Sequence, residues 1–114
     1  MRISDLGSIG GLECLQQQYD DGELVGGYTS DLLSDVMAHA TEGAVLITIQ
    51  AHKNTVAVAS LVGVVAIVFC NNRPVEDDVL EAASKEGIAV FRTGATQFEV
   101  SAAVAQHLGG CPAR

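Results

Sequence analysis

Between Thr55 and Cys70 the chain reads TVAVASLVGVVAIVFC, an almost unbroken apolar run interrupted by Gly63. A membrane-spanning helix needs about 20 such residues, so this run is too short to be one. The glycine divides it into a Val- and Ala-rich helix over Asn54–Leu61 and a continuous apolar strand over Val64–Phe69. Ala44–Ile49 and Ile88–Phe91 are further strands of the same kind. A strand with no polar face must be covered on both sides.

The intervening segments read as helices. Pro74 precedes Glu76, Asp77 and Asp78, carboxylates that suit the positive end of a helix dipole. That helix runs to about Glu86, with Lys85 near its negative end and Gly87 as its stop. Thr96 and Glu99 have the spacing of a capping box for a last helix that runs to Leu108 and stops at Gly109-Gly110. From Ala44 onward the order is strand, helix, strand, helix, strand, helix. The expected fold class is α/β: a layered, mainly parallel sheet with helices on both faces. Right-handed crossovers then place all three strand C-termini on one edge.

The N-terminal part is less regular. Ile3–Ile9 suggests a short helix, Leu12–Leu15 a brief strand, Asp21-Gly22 a turn, and Glu23–Tyr28 an extended segment containing a glycine pair. Ser30 is placed to cap a helix, with Asp31 in its first turn and Leu32, Leu33, Val36, Met37 and Ala40 on its apolar face. Glu42-Gly43 closes that unit. A length of 114 residues suits one domain, expected over residues 1–110, with a tail at 111–114.

Composition excludes several classes of partner. The formal net charge is -8 and the basic residues number 6, scattered along the chain. Nucleic acid and anionic membranes need clustered Lys and Arg, so neither is expected. Aromatic residues are only 4% and Trp is absent, which argues against a large aromatic ligand cage. Cys14, Cys70 and Cys111 are odd in number and far apart, so neither a disulfide framework nor a CxxC zinc site is supported. Cys70 reads as a small buried hydrophobe. No secretory n-region opens the sequence, and a reducing cytoplasm is the expected location.

In open α/β sheets, ligands bind beyond the carboxyl ends of the strands. Gln50, His52 and Asn54 follow the first apolar strand, Asn71, Asn72 and Arg73 the second, and Thr93 and Gly94 the third. These polar exits from greasy strands are the expected ligand site, although any strand must leave through a polar loop. Gly26-Gly27 can expose bare N–H groups to an anion and leads within three residues to Ser30 and a helix start. A glycine pair is also common in plain bulges and turns. Asp31, Asp35 and His39 stand at i, i+4 and i+8, a spacing that could hold a divalent metal. A solvated stripe is the better reading, because no fourth ligand is indicated. The phosphate loop GxxxxGK[ST], the GxSxG elbow and HExxH are all missing from the sequence. A cysteine with His52 as nucleophile and base has nothing to place the two together.

Residues Gly26-Gly27-Tyr28-Thr29-Ser30-Asp31-Leu32-Leu33-Ser34-Asp35-Val36-Met37 resemble the N-terminal signature of small stand-alone DRTGG-domain proteins. Ile47-Thr48-Ile49-Gln50, with His52 and Asn54 following, resembles the next block of that family, and the similarity extends over nearly the whole chain. The resemblance implies a fold similar to the N-terminal domains of HPr kinase/phosphorylase and of Mur ligases. It also implies a regulatory or assembly role, since such domains occur inside phosphotransacetylases and beside CBS domains in regulatory pyrophosphatases. It adds Thr48 to the expected site. One departure stands out: Glu23, Leu24 and Val25 precede the glycine pair, so no Asp-Arg pair is present there.

Three functions follow as expectations. The first is a non-catalytic sensor of a small anionic ligand or nucleotide, bound by Gly26, Gly27, Ser30, Asp31, Thr48, Gln50, His52, Asn54, Asn71 and Thr93, with no cofactor. The second is a protein-protein interaction or homodimerisation module without a small ligand. The third, least favoured, is a metal-dependent enzyme using Asp31, Asp35 and His39.

Overall fold

A computed structural model describes residues 1–109; the expected tail lies outside the described residues. A short 3-10 helix, Ile3–Ser8, is followed by β1 (Glu13–Gln16), β2 (Gly26–Thr29), α1 (Leu33–His39), β3 (Ala44–Thr48), α2 (Lys53–Val62), β4 (Ala66–Phe69), α3 (Asp77–Glu86), β5 (Ala89–Arg92) and α4 (Gln97–His107). The strands form one sheet in the order β1-β5-β4-β3-β2. β2 to β5 are parallel, and β1 joins β5 antiparallel at one edge with a bulge between Cys14 and Gln16. The mixed α/β architecture with a mainly parallel sheet is therefore present.

Alternation along the strands sorts the core into two layers. Val45, Ile47, Val68 and Phe91 face Ile3, Leu6 and Ile9 of the N-terminal segment and Val100 and Val104 of α4. Leu46, Ile67, Phe69 and Val90 face Val36 of α1, Val56 and Ala59 of α2, and Val79 and Ala83 of α3. Every residue of β3 and β4 is buried. Helices α1 to α3 thus cover one face. After β5 the chain changes sides, and α4 doubles back to pack on β2 and β3.

Several boundaries shift for a common reason. The expected strand at Val64 starts at Ala66 because the Val64 N–H closes the end of α2 on the Ala59 carbonyl at 2.9 Å. Likewise the Ile88 N–H closes α3 on the Ala83 carbonyl at 3.0 Å, so β5 begins at Ala89. Both closures turn on a left-handed glycine, Gly63 (φ 82) and Gly87 (φ 67). Asp21-Gly22 does not link neighbouring strands, since β1 and β2 lie at opposite edges of the sheet. The Asp21 carboxylate instead accepts from Ser4 Oγ (2.6 Å), Ser4 N (3.0 Å), Arg2 Nε (3.2 Å) and Gly22 N (3.0 Å), clasping the 3-10 helix.

The helix expected from Ser30 begins only at Leu33. Ser30 Oγ accepts from the Leu32 N–H at 3.2 Å, and Asp31 is turned away toward β3. Asp31 therefore does not share a helix face with Asp35 and His39. The capping box at Thr96 and Glu99 is formed in full.

Two outcomes are expected. Gly63→Ala should lower stability by about 1–2 kcal/mol, combining an unfavourable φ with a Cβ placed 2.8 Å from Glu42 Cγ. Gly27→Ala, whose Cβ would meet Val45 and Val104 at ordinary distances of 3.5 and 3.8 Å, should leave the denaturation midpoint essentially unchanged. The Ser4 hydroxyl and N–H, with Arg2 and Gly22, hold the Asp21 carboxyl down at about 2, against an ordinary value of 3.8. The clasp is thus intact above pH 3.8 and opens as pH falls toward 2, seen as accelerated exchange of the Ser4 amide.

Candidate functional site at the strand exits

Because β2 to β5 run in one direction, their exits gather on one rim. The chain leaves β2 through Ser30–Leu32, β3 through Ile49–His52, β4 through Cys70–Arg73 and β5 through Thr93–Thr96. Since α4 returns over the opposite face, the β5–α4 loop passes across the neighbouring exits as a strap.

Asp31 ties three of these loops together. Its Oδ1 accepts from Thr48 Oγ1 at 2.9 Å, from the Ile49 N–H at 2.9 Å and from Gln97 Nε2 at 2.7 Å. Thr48 is fully buried, and its hydroxyl oxygen in turn accepts from the Gln50 N–H at 3.1 Å. The Gln50 carbonyl accepts from Thr55 Oγ1 at 2.7 Å. A partly buried carboxylate that receives three donors is a rigid joint, because charged acceptors strengthen each bond.

The β4 exit is held differently. Asn71 (φ 60) and Asn72 (φ 54) are consecutive left-handed residues in a turn closed by Arg73 N on the Cys70 carbonyl at 3.3 Å. Asparagine tolerates this region better than most side chains. Their N–H groups donate to the strap, Asn71 to the Ala95 carbonyl at 3.0 Å and Asn72 to the Thr93 carbonyl at 2.8 Å. Arg92 closes the turn from outside, donating from Nε to the Arg73 carbonyl (2.9 Å) and from Nη2 to the Asn72 carbonyl (3.1 Å). The rim backbone is therefore well satisfied, while the side chains of Gln50, Asn71, Asn72 and Arg73 stand exposed.

The expected site residues divide accordingly. Asp31, Thr48, Gln50, His52, Asn54 and Asn71 all lie at the exits. Thr48 and Thr93 are buried, and Thr93 Oγ1 accepts from the Ala95 N–H at 3.1 Å, so both act as framework. His52 Nδ1 accepts from the Asn54 N–H at 3.0 Å and caps α2, leaving Nε2 outward. Gly26 and Gly27 are not at this rim. They open β2 opposite Ala44 and Val45, at the strand entries, with their backbone in a regular ladder. Gln97 and Arg92 were not among the expected residues. A sequence cue to Gln97 exists in its place just after the Thr96 cap, but nothing local shows that it reaches Asp31, 66 positions away.

The other candidate chemistry is taken up structurally. Tyr28 Oη donates to Asp35 Oδ2 at 2.8 Å, and His39 Nδ1 lies 3.1 Å from Asp35 Oδ1. The tyrosine hydroxyl, then other donors including His39, hold the Asp35 carboxyl below its ordinary range. Among the described residues, no three His, Cys, Asp or Glu side chains gather in a metal-binding group. Burial, with the Asp31 charge adding to it, pushes the Cys70 thiol up to about 11. Burial also raises Cys14. Neither thiol is a ready nucleophile near neutral pH.

No family model matches the chain, and no curated protein matches it. Among solved structures, it is similar to the CBS and DRTGG domains of the regulatory region of Clostridium perfringens pyrophosphatase, a complex with the activator diadenosine tetraphosphate. The TM-score is 0.65 and the identity 15%, over 88% of this chain. The likeness is one of fold. The match spans 42% of that regulatory chain, well under half of it.

Asp31→Ala leaves the Thr48 hydroxyl, the Ile49 N–H and the Gln97 amide without their acceptor. It should cost about 2–3 kcal/mol in denaturant unfolding, and Asp31→Asn, which keeps an oxygen there, about 1 kcal/mol.

Proposed function

We propose that this chain is a non-catalytic regulatory domain that senses a small polar ligand, with a nucleotide as the favoured class, at the strand-exit rim. The observation that carries the reading is the tie at Asp31: a ligand touching any of three loops meets one mechanically coupled unit. The fold neighbour supports it, being a regulatory region in complex with a nucleotide activator.

The rim also bears on how such a ligand would lie. The carboxylate of Asp31 repels phosphate from the β2–β3 side and favours hydroxyl or amino donors there. Arg73, exposed and without an ion-pair partner among the described residues, is the cation suited to phosphate. Gln50 and Asn71 supply neutral hydrogen-bonding groups between them. Phe98, 83% exposed beside Gln97, offers a face for stacking a base. The glycine pair has no part in this arrangement, since it lies at the strand entries.

Thermal unfolding with a panel of mononucleotides and dinucleoside polyphosphates tests the reading. A ligand at ten times its Kd should add about 1.4 kcal/mol and raise the midpoint by several degrees. Arg73→Ala and Gln50→Ala should abolish that rise while leaving the ligand-free midpoint within about a degree. No shift with any nucleotide at millimolar concentration rejects the proposal.

A further inference from the structure

Of the two edges of the sheet, one is guarded and the other is open. β1 carries a charge at Glu13 and a bulge between Cys14 and Gln16, and the Gln16 side chain turns in to donate to the Ile88 carbonyl at 2.7 Å. Such features keep an edge strand from pairing further. β2 reads Gly26-Gly27-Tyr28-Thr29, without charge, proline or bulge, in unbroken parallel register with β3 alone. The Ser30 N–H donates to the Ile47 carbonyl at 3.2 Å, so it points at β3. Alternation along an extended chain then turns the N–H and C=O of Thr29, and those of Gly27, outward. Gly27 and Thr29 are the exposed residues of the strand. Among the described residues, no backbone bond from a turn, loop or cap satisfies these groups.

The helix above this edge is apolar in the same direction. Ser101 of α4 meets Thr29 at 2.7 Å through their hydroxyls, and Val104 approaches Gly27, so both face β2. At about 100° of turn per residue, the side of α4 beyond Ser101, overhanging the free edge, consists of Ala105, Phe98 and Ala102. Phe98 is 83% exposed, and Ala102 is exposed as well. The titratable residues of α4 point elsewhere: Glu99 is held in the cap by Thr96, and His107 Nδ1 bonds the Ala103 carbonyl. On the other face of the sheet, the carboxylate nearest the edge, Asp35, is already engaged by Tyr28 and His39.

We propose that β2 pairs antiparallel with β2 of a second copy, continuing the sheet across a two-fold axis that passes beside Tyr28. Gly27 of each copy then lies opposite Thr29 of the other, the relation in which two residues exchange both N–H···O bonds. An axis perpendicular to the sheet keeps α4 of both copies on one side. Ala102 stands at the height of Tyr28, between the levels of Ser101 over Thr29 and Val104 over Gly27, and so meets Ala102 of the second copy. Phe98 comes beside Ala105 of the second copy with one side of its ring, while the other side stays at the exit rim. The occupant is a second copy for two reasons. A strand added to β2 must bring its own apolar cover at the height of α4, and the same flank of another copy supplies it in the matching place. Two molecules of net charge -8 also approach most readily where the surface carries no unpaired charge.

Sedimentation equilibrium without nucleotide, from low micromolar to near-millimolar protein, should show a monomer–dimer equilibrium. Ala102→Glu sets two carboxylates face to face at the axis and should raise Kd roughly tenfold or more. Leu61→Glu, on α2 between α1 and α3 and away from this edge, should leave Kd unchanged. Both positions are exposed, and circular dichroism confirms that each variant folds. Amide exchange followed by NMR reads the edge directly. In the dimer the Gly27 and Thr29 N–H groups should slow to join those of Tyr28 and Ser30, and in Ala102→Glu they should exchange fast. A monomer throughout the range overturns the proposal. So does a dimer that Ala102→Glu leaves intact, one that Leu61→Glu dissolves, or one in which the Gly27 and Thr29 amides stay fast. None of these substitutions touches Arg73 or Gln50, so nucleotide binding and self-association stand or fall separately.

Discussion

Strands β3 and β4 have no face in contact with water, and the architecture is organised by that fact. Backbone N–H and C=O groups in a dry interior must be paired, which the parallel ladders on either side accomplish. The apolar side chains then demand a helical layer above and below. Connections between strands and helices are thereby pushed to the two ends of the sheet, and parallel direction makes those ends chemically different. Polar residues with nowhere to go inside the layers collect at the exits, where Asp31 organises them.

The two ends are built by different means. At the entries, Gly43, Gly63 and Gly87 all adopt positive φ, and the Gly43 N–H donates to the Gly63 carbonyl at 2.8 Å. These are tight joints made of backbone, with little that a ligand could read. At the exits, side chains join the backbone in holding the loops: a carboxylate, the hydroxyls of Thr48, Thr55 and Thr93, a glutamine amide and an arginine. Side-chain joints leave neighbouring groups free to vary in chemistry while the backbone keeps its course. That division explains why the exits, and not the glycine pair, form the candidate surface.

The sequence made the sheet legible because its strands are apolar on both sides and its helices carry ordinary start and stop signals. Asp77 and Asp78, Gly87, and the Thr96–Glu99 box all sit where their local chemistry places them. Ser30 misled because its capping chemistry is real but is spent on Leu32, in a turn rather than a helix. The reason lies in Asp31, whose best partners are the Thr48 hydroxyl and the Ile49 N–H, both distant in sequence. No local pattern encodes such a contact. Gln97 was illegible for the same cause: its role depends on α4 crossing to the other face, which the spacing of apolar residues does not reveal. The glycine pair reads as a phosphate cradle only when its distance from the strand exits is unknown.

The return of α4 to β2 and β3 has a consequence for the order in which the molecule can be completed. β2 is an edge strand, laddered to β3 alone, and its Gly27 offers no side chain to the layer above. Ser101 of α4 meets Thr29 of β2 at 2.7 Å through their hydroxyls, and Val104 approaches Gly27. During vectorial synthesis, the early strand therefore waits, one flank bare, until the last helix has emerged from the ribosome. The nascent chain closes its sheet late, and the strand left bare in the interval is made well before the helix that shields it.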